Sequence, residues 1–296
     1  MMQLISYYLV YTLIWLLNRL PMRVLYGMTD IVFLCTYYIF PYRIKLVFKN
    51  LRNSFPDWDD KKIMKTARRF YRFFCDFFME STIFIFMEEK EILRRFSCKN
   101  PELLDDLYSR GKSIVMVSGH YGNWEYIAAL PKFTKYKVLP LYKPLHNKYI
   151  DRMFINSRQR FGVEVIPVEK TMRVLNEYHS NRILNISYFL ADQRPLRKNI
   201  QYWTTFLQQD TPVVLGPEKI AKKYNHAVVF LKISLPKRGY YECEFTLITE
   251  DPGKTKEFEI TDRTLHLLEN QIRSEPAYWL WTHDRWKHKK TVATIE

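Results

Sequence analysis

The segment Val117-Ser118-Gly119-His120-Tyr121-Gly122-Asn123-Trp124-Glu125 gathers residue types that move protons and bind anions. Two glycines flank His120 closely, which permits a tight turn and close approach of a ligand to the backbone. Before the turn, Ser113–Ser118 is a short apolar run, the pattern of a strand covered on both faces. After it, Asn123–Leu130 reads as a helix that stops at Pro131. Reactive groups collect at the carboxyl ends of such strands. The start of a helix adds unpaired N–H groups and a positive dipole end. A carboxylate at Glu125 can fold back onto one imidazole nitrogen of His120. It would fix the tautomer and stabilise the imidazolium, leaving the other nitrogen as a base. No serine or cysteine occupies a nucleophile elbow. The base therefore acts on a hydroxyl carried by the substrate. The same His and Glu spacing also fits a pair that merely caps a helix, and the strand–Gly–His–helix context favours the chemical reading.

Positioning this turn requires a sheet. Val138–Tyr142, Val163–Pro167, Ile183–Ala191, Ala227–Ser234 and Tyr241–Thr249 have strand character. Lys148–Phe161, Lys170–His179 and Pro217–Tyr224 have helical character. The alternation predicts an α/β fold, a mixed central sheet with flanking helices. Upstream, Asp57–Asp60 can cap a long helix over Ile63–Phe86, and its Phe70, Phe73, Phe74, Phe77 and Phe78 suit a core or an acyl-chain contact.

Leu4–Leu17 is an uncharged apolar run, and Val24–Pro41 is a second one interrupted only by Asp30. Each is shorter than the ~20 residues of a spanning helix. A hairpin dipping into one leaflet, a tilted anchor and a buried helical pair all fit. From Tyr42 to Arg72 ten Lys and Arg residues face three acids. Basic charge beside an apolar segment, with Tyr7, Tyr8, Tyr11, Trp15, Tyr37 and Tyr38 nearby, is the pattern of a membrane anchor facing the cytoplasm. The expected organisation is an anchoring segment at 1–42, a basic and aromatic helical region at 43–110, and an α/β core at 111–296, with 43–296 as one compact domain.

Lys and Arg number 46 against 31 Asp and Glu, a net charge of +15, and aromatics are 16% of the 296 residues. This much apolar material excludes a disordered chain, and eight glycines exclude a collagen-like one. The charge calls for an anionic partner. A nucleic acid would explain the charge but not the apolar N-terminus or the histidine turn. Cys35, Cys75, Cys98 and Cys243 are dispersed, so they read as idle thiols, with neither a zinc site nor a disulfide scaffold. No metal or cofactor is expected.

Gly119–Glu125 resembles the H-x4-[DE] motif of glycerolipid acyltransferases, and within them the lipid A biosynthesis (late, lauroyl/myristoyl-type) acyltransferases. Three further segments resemble motifs of that family in the same order: Asn50–Asp57 (NLRNSFPD), Leu190–Pro195 (LADQRP) and Pro276–Lys287 (PAYWLWTHDRWK). The resemblance implies that His120 is the general base and that Glu125 orients it. It implies an acyl thioester donor on acyl carrier protein or coenzyme A and a hydroxyl acceptor on a phosphorylated glycolipid, foremost a lipid A precursor. Ser157–Gly162 resembles a basic block facing that acceptor, so Arg158 and Arg160 join Asn123, Asp192, Gln193 and Arg194 as substrate-binding candidates. The family often has Asp-His where this chain has Asp192-Gln193. Oxyanion donors are either backbone N–H groups at Gly122–Asn123 or an arginine. Trp279, Trp281 and Trp286 with the nearby basic residues form an interfacial surface or a packed C-terminal strand. The implied setting is the inner face of a bacterial plasma membrane.

Overall fold

The computed structural model describes residues 2–290. The chain opens with α1 (Met2–Leu17), α2 (Met22–Leu34, continued as a π-helical turn to Ile39), α3 (Ile44–Ser54) and α4 (Asp60–Ile83). The N-cap of α4 is Asp59, whose carboxylate accepts from Lys62 N–H at 2.7 Å. Asp30, the one acid in the second apolar run, is used by the fold. It pairs with Arg72 on α4 and with Arg238, each at 2.8 Å.

The core is a seven-stranded sheet. Its strands are β1 (Phe96–Cys98), β2 (Ile114–Ser118), β3 (Lys137–Tyr142), β4 (Ile166–Pro167), β5 (Asn185–Leu190), β8 (Ala227–Lys237) and β9 (Tyr240–Thr249), in the order β1-β9-β8-β2-β5-β3-β4. All neighbours run parallel except the β8–β9 hairpin, so the sheet is mixed. A separate hairpin joins β6 (Trp203–Phe206) and β7 (Gln209–Pro212). The helices α5 (Glu89–Arg95), α6 (Glu102–Ser109), α7 (Lys148–Gln159), α8 (Thr171–Ser180), α9 (Gly216–Tyr224) and α10 (Glu259–Ser274) flank the sheet. Central β2 is buried at all five residues, as its apolar run predicts. One hydrophobic core runs from Leu25 through α4 and the sheet to Trp286.

Two expectations change. The segment after the histidine turn is a 3-10 helix, Trp124–Lys132, with Asn123 capping it through a bond from Glu125 N–H. The expected strand at 163–167 shrinks to Ile166–Pro167. Cys98 and Cys243, remote in sequence, stand opposite each other in the parallel register of β1 and β9 as free thiols.

Among the described residues, no single helix is long and apolar enough to cross a membrane. At about 1.5 Å per residue, α1 falls short of the ~30 Å apolar thickness of a bilayer. The apolar helix α2 and α3 are bent by 86° at their junction. α1 nevertheless leaves Ile5, Leu9, Leu13 and Leu16 exposed.

Candidate active site

Parallel pairing of β2 with β5 sets Ser118 opposite Leu190. The two chains therefore leave the sheet side by side, one into Gly119-His120 and the other into Ala191-Asp192. This register makes the dyad. His120 Nδ1 lies 2.6 Å from Asp192 Oδ1, and the His120 backbone N–H donates to Asp192 Oδ2 at 2.9 Å. Gly119 is required here: a Cβ would fall 2.7 Å from a Leu268 methyl and 3.2 Å from Asp192 Oδ2. Gly122 takes φ +62° with Ile233 close behind it, again a position for glycine.

Asp192 is 2% exposed. Burial opposes its charge, but His120 and the hydrogen bonds from His120 and Trp279 outweigh it, and the carboxyl is held down at about 2. The indole N–H of Trp279 donates to Oδ2 at 2.7 Å. Asp192 is thus an ionised acceptor that fixes one ring nitrogen. The other, Nε2, faces a cavity of about 770 Å³ and meets the Gln193 amide at 3.2 Å. The imidazole also packs edge-on against Trp124, with centroids 4.9 Å apart.

Glu125 is not the carboxylate that stands beside His120 in this structure. Its carboxylate forms a two-pronged pair with Arg158, both bonds at 2.9 Å. The cause is local: in the 3-10 turn Glu125 faces α7, where Arg158 presents its planar fork. The carboxylate in hydrogen-bond reach of the His120 ring is that of Asp192. Of the remaining candidates, Arg158 and Gln193 line the cavity with His120 and Glu125. Three others do not. Asn123 is wholly buried and donates to Glu80 at 3.0 Å, so its side chain is structural. Arg194 turns away and donates to the Asp284 carbonyl. Arg160 lies on another face of α7 and donates to the carbonyls of Ser157 and Phe84. The Gly122 N–H is also spent, on the Tyr278 carbonyl at 3.0 Å, which removes it as an oxyanion donor.

The C-terminal tryptophans are packed inside, not spread on a surface. Trp279 bridges to Tyr121, and Leu280 N–H donates to the His120 carbonyl at 3.1 Å. Asn50 reaches this strap from α3, donating to the carbonyls of Trp281 and His283 at 3.0 and 3.2 Å. The NLRNSFPD and PAYWLWTHDRWK segments therefore meet in space. Burial beside Arg194 pushes His283 down to about 4. The Arg285 guanidinium is fully buried with no hydrogen-bond partner among the described residues, and burial lowers it to about 10.

Two side chains that hold the turn were not assigned that part from sequence: Trp279, and Glu80 beneath the turn. Glu80 accepts from Tyr26, Tyr241 and Asn123 at 2.8, 2.5 and 3.0 Å. Trp279 lay within a recognised motif, but nothing in its spacing linked it to Asp192. Glu80 had no signal beyond being an acid on an apolar helix face. No group of three His, Cys, Asp or Glu side chains among the described residues is placed to hold a metal.

A buried strand, a histidine held by a buried carboxylate and a large apolar cavity suit acyl transfer to a hydroxyl. The family model "Bacterial lipid A biosynthesis acyltransferase" matches residues 1–288. No curated protein sequence matches the chain. The chain belongs to the bacterial lipid A biosynthesis acyltransferase family and is an acyltransferase of that class.

Proposed function

We propose that the protein transfers a fatty acyl group from an acyl thioester, carried by acyl carrier protein or coenzyme A, to a hydroxyl of a phosphorylated glycolipid, a lipid A precursor. The observation that carries the reading is the His120–Asp192 dyad opening onto the 770 Å³ cavity. The cavity wall is largely apolar, with Leu141, Phe154, Val165, Val168, Met172 and Ile220 suited to an alkyl chain.

In this reading the acceptor hydroxyl displaces the Gln193 amide and donates to His120 Nε2. Its oxygen attacks the thioester carbonyl as Nε2 takes the proton, and Asp192 stabilises the imidazolium. The tetrahedral oxyanion needs a donor. Arg158 supports that role, because Nε and one terminal nitrogen hold Glu125 while the other terminal nitrogen is uncommitted among the described residues. The intermediate then collapses, the C–S bond breaks, and the thiolate takes the proton from His120. The ester and the free carrier thiol are the products.

Membrane association, at the cytoplasmic side of a bacterial inner membrane, belongs to the same proposal. The exposed apolar side of α1 and the basic run from Arg43 to Arg72 support it. The net charge of +15 suits an acidic carrier protein and an anionic lipid surface. Nucleic acid has no role in it. The test is transfer of labelled acyl chains from acyl carrier protein to lipid A precursor by purified enzyme. Activity equal to wild type in a folded His120→Ala variant would refute the assignment. Transfer only to a different lipid would replace the acceptor.

A further inference from the structure

Helix α7 shows two working faces. Asp151, Phe154 and Arg158 point to the catalytic cavity. Tyr149, Arg152, Met153, Asn156 and Arg160 line a second groove, of about 440 Å³, closed on its far side by α1. The two sets follow the i, i+3, i+4, i+7 spacing that divides one helix between two surfaces.

The groove is a built feature. Asn147, the N-cap of α7, donates to the Gln3 carbonyl and to Ser6, both at 3.0 Å, and so ties the two helices together. Tyr7 packs on Tyr149 and Tyr11 on Phe86. Among the described residues no Asp or Glu lines the groove. Arg152 has no hydrogen bond or ion pair among the described residues, and Arg160 bonds only to backbone carbonyls while lying over the Phe161 ring. Arg158, two residues before Arg160, has its carboxylate. Two guanidiniums without a counter-ion therefore share one groove with several tyrosine hydroxyls. Planar guanidinium suits phosphate, which it binds by two parallel bonds. The exposed Ile5, Leu9, Leu13 and Leu16 on α1 supply an apolar surface beside it for lipid chains.

We infer that the α1–α7 groove binds the phosphate of an anionic phospholipid headgroup, a second lipid distinct from the acyl acceptor. The inference rests on the membrane reading above and gives it a location. Its occupant seats α1 on the bilayer while the cavity across α7 stays free for substrate.

The experiment titrates the full-length chain with monomeric dihexanoyl-phosphatidylglycerol by calorimetry. Saturable binding is expected, about tenfold or more weaker in Arg152→Gln and unchanged in Lys198→Gln. Equal affinity in wild type and Arg152→Gln overturns the site. Inorganic phosphate binding as tightly as the lipid assigns the groove to a free anion and overturns the lipid occupant. Competition between the phospholipid and the acyl acceptor in turnover makes the groove an acceptor subsite and overturns the second lipid. His120→Ala, silent in turnover, should bind phosphatidylglycerol as wild type does. This separates failure of the groove from failure of the catalytic assignment.

Discussion

The amide nitrogen of Gln193 stands 3.2 Å from Nε2 of His120. An amide donates to that nitrogen only when it carries a lone pair. The ring proton then sits on Nδ1, facing Asp192. The resting site holds the tautomer a base requires, with its basic nitrogen covered by a side chain that substrate must displace.

Exchange at the two carboxylates separates their roles. Asp192→Asn should lower kcat by about 10³–10⁴, because the amide cannot hold the same tautomer or the imidazolium. Glu125→Gln should act mainly through Arg158, with a loss of about tenfold to a hundredfold. Gln193→Ala should keep kcat within about tenfold of wild type. Steady-state kinetics on the three variants tests the order; a larger loss at Glu125 than at Asp192 would return the orienting role to Glu125.

Glu80 supports the catalytic turn from below. Burial raises its carboxyl, while Tyr241, Asn123 and Tyr26 donate to it and pull the other way. Glu80→Ala leaves two buried donors and one half-buried donor without their acceptor, at a cost of about 3 kcal/mol or more. Denaturant unfolding should show that loss. Activity should fall further than the folded fraction, since Asn123 loses its anchor.

Acid should weaken the fold before it protonates Asp192. Burial beside His179 lowers the imidazole of His226 to about 4. The unfolded chain takes up that proton near pH 6.5 and the folded chain does not. Stability carried by neutral His226 is thus complete above about pH 6.5 and falls as pH drops toward 4. The loss is about 2–3 kcal/mol at ~1.4 kcal/mol per pKa unit. Asp192 adds its own loss only below the usual carboxylate range, between about 4 and 2. Urea midpoints at pH 7 and pH 5 should differ in wild type and differ less in His226→Phe, with buried His283 carrying a remaining share.

Arg285 carries a buried charge with no compensating bond. Replacing such a group with an apolar side chain of similar length is neutral or stabilising by about 1–4 kcal/mol. Arg285→Met should therefore hold or raise Tm. A fall of several degrees would mean that the guanidinium has a partner in solution.

Much of the frame was legible because it depends on local patterns. The apolar run Ser113–Ser118 read as a buried strand, and Gly119 and Gly122 marked the turn after it. The partner of His120 was not legible. Glu125 was near in sequence, whereas Asp192 reaches His120 through the register of β2 and β5, a pairing no local pattern encodes. Arg158, Arg160 and Arg194 looked alike as basic residues. Helix phase and carbonyl partners then sent one to the cavity and two elsewhere. The 3-10 form of Trp124–Lys132 follows the Asn123 cap and Pro131, and hydrophobic period alone does not distinguish it from an α-helix.

The strap from Tyr278 to Leu280 also sets a timetable. His120 leaves the ribosome more than 150 residues before the segment that fixes its backbone and completes the bonding of Asp192. A nascent chain can build β2 and display the histidine, yet its proton relay stays unassembled until Trp279 has emerged and threaded back. A chain cut after Ala277 should fold much of the sheet and transfer nothing.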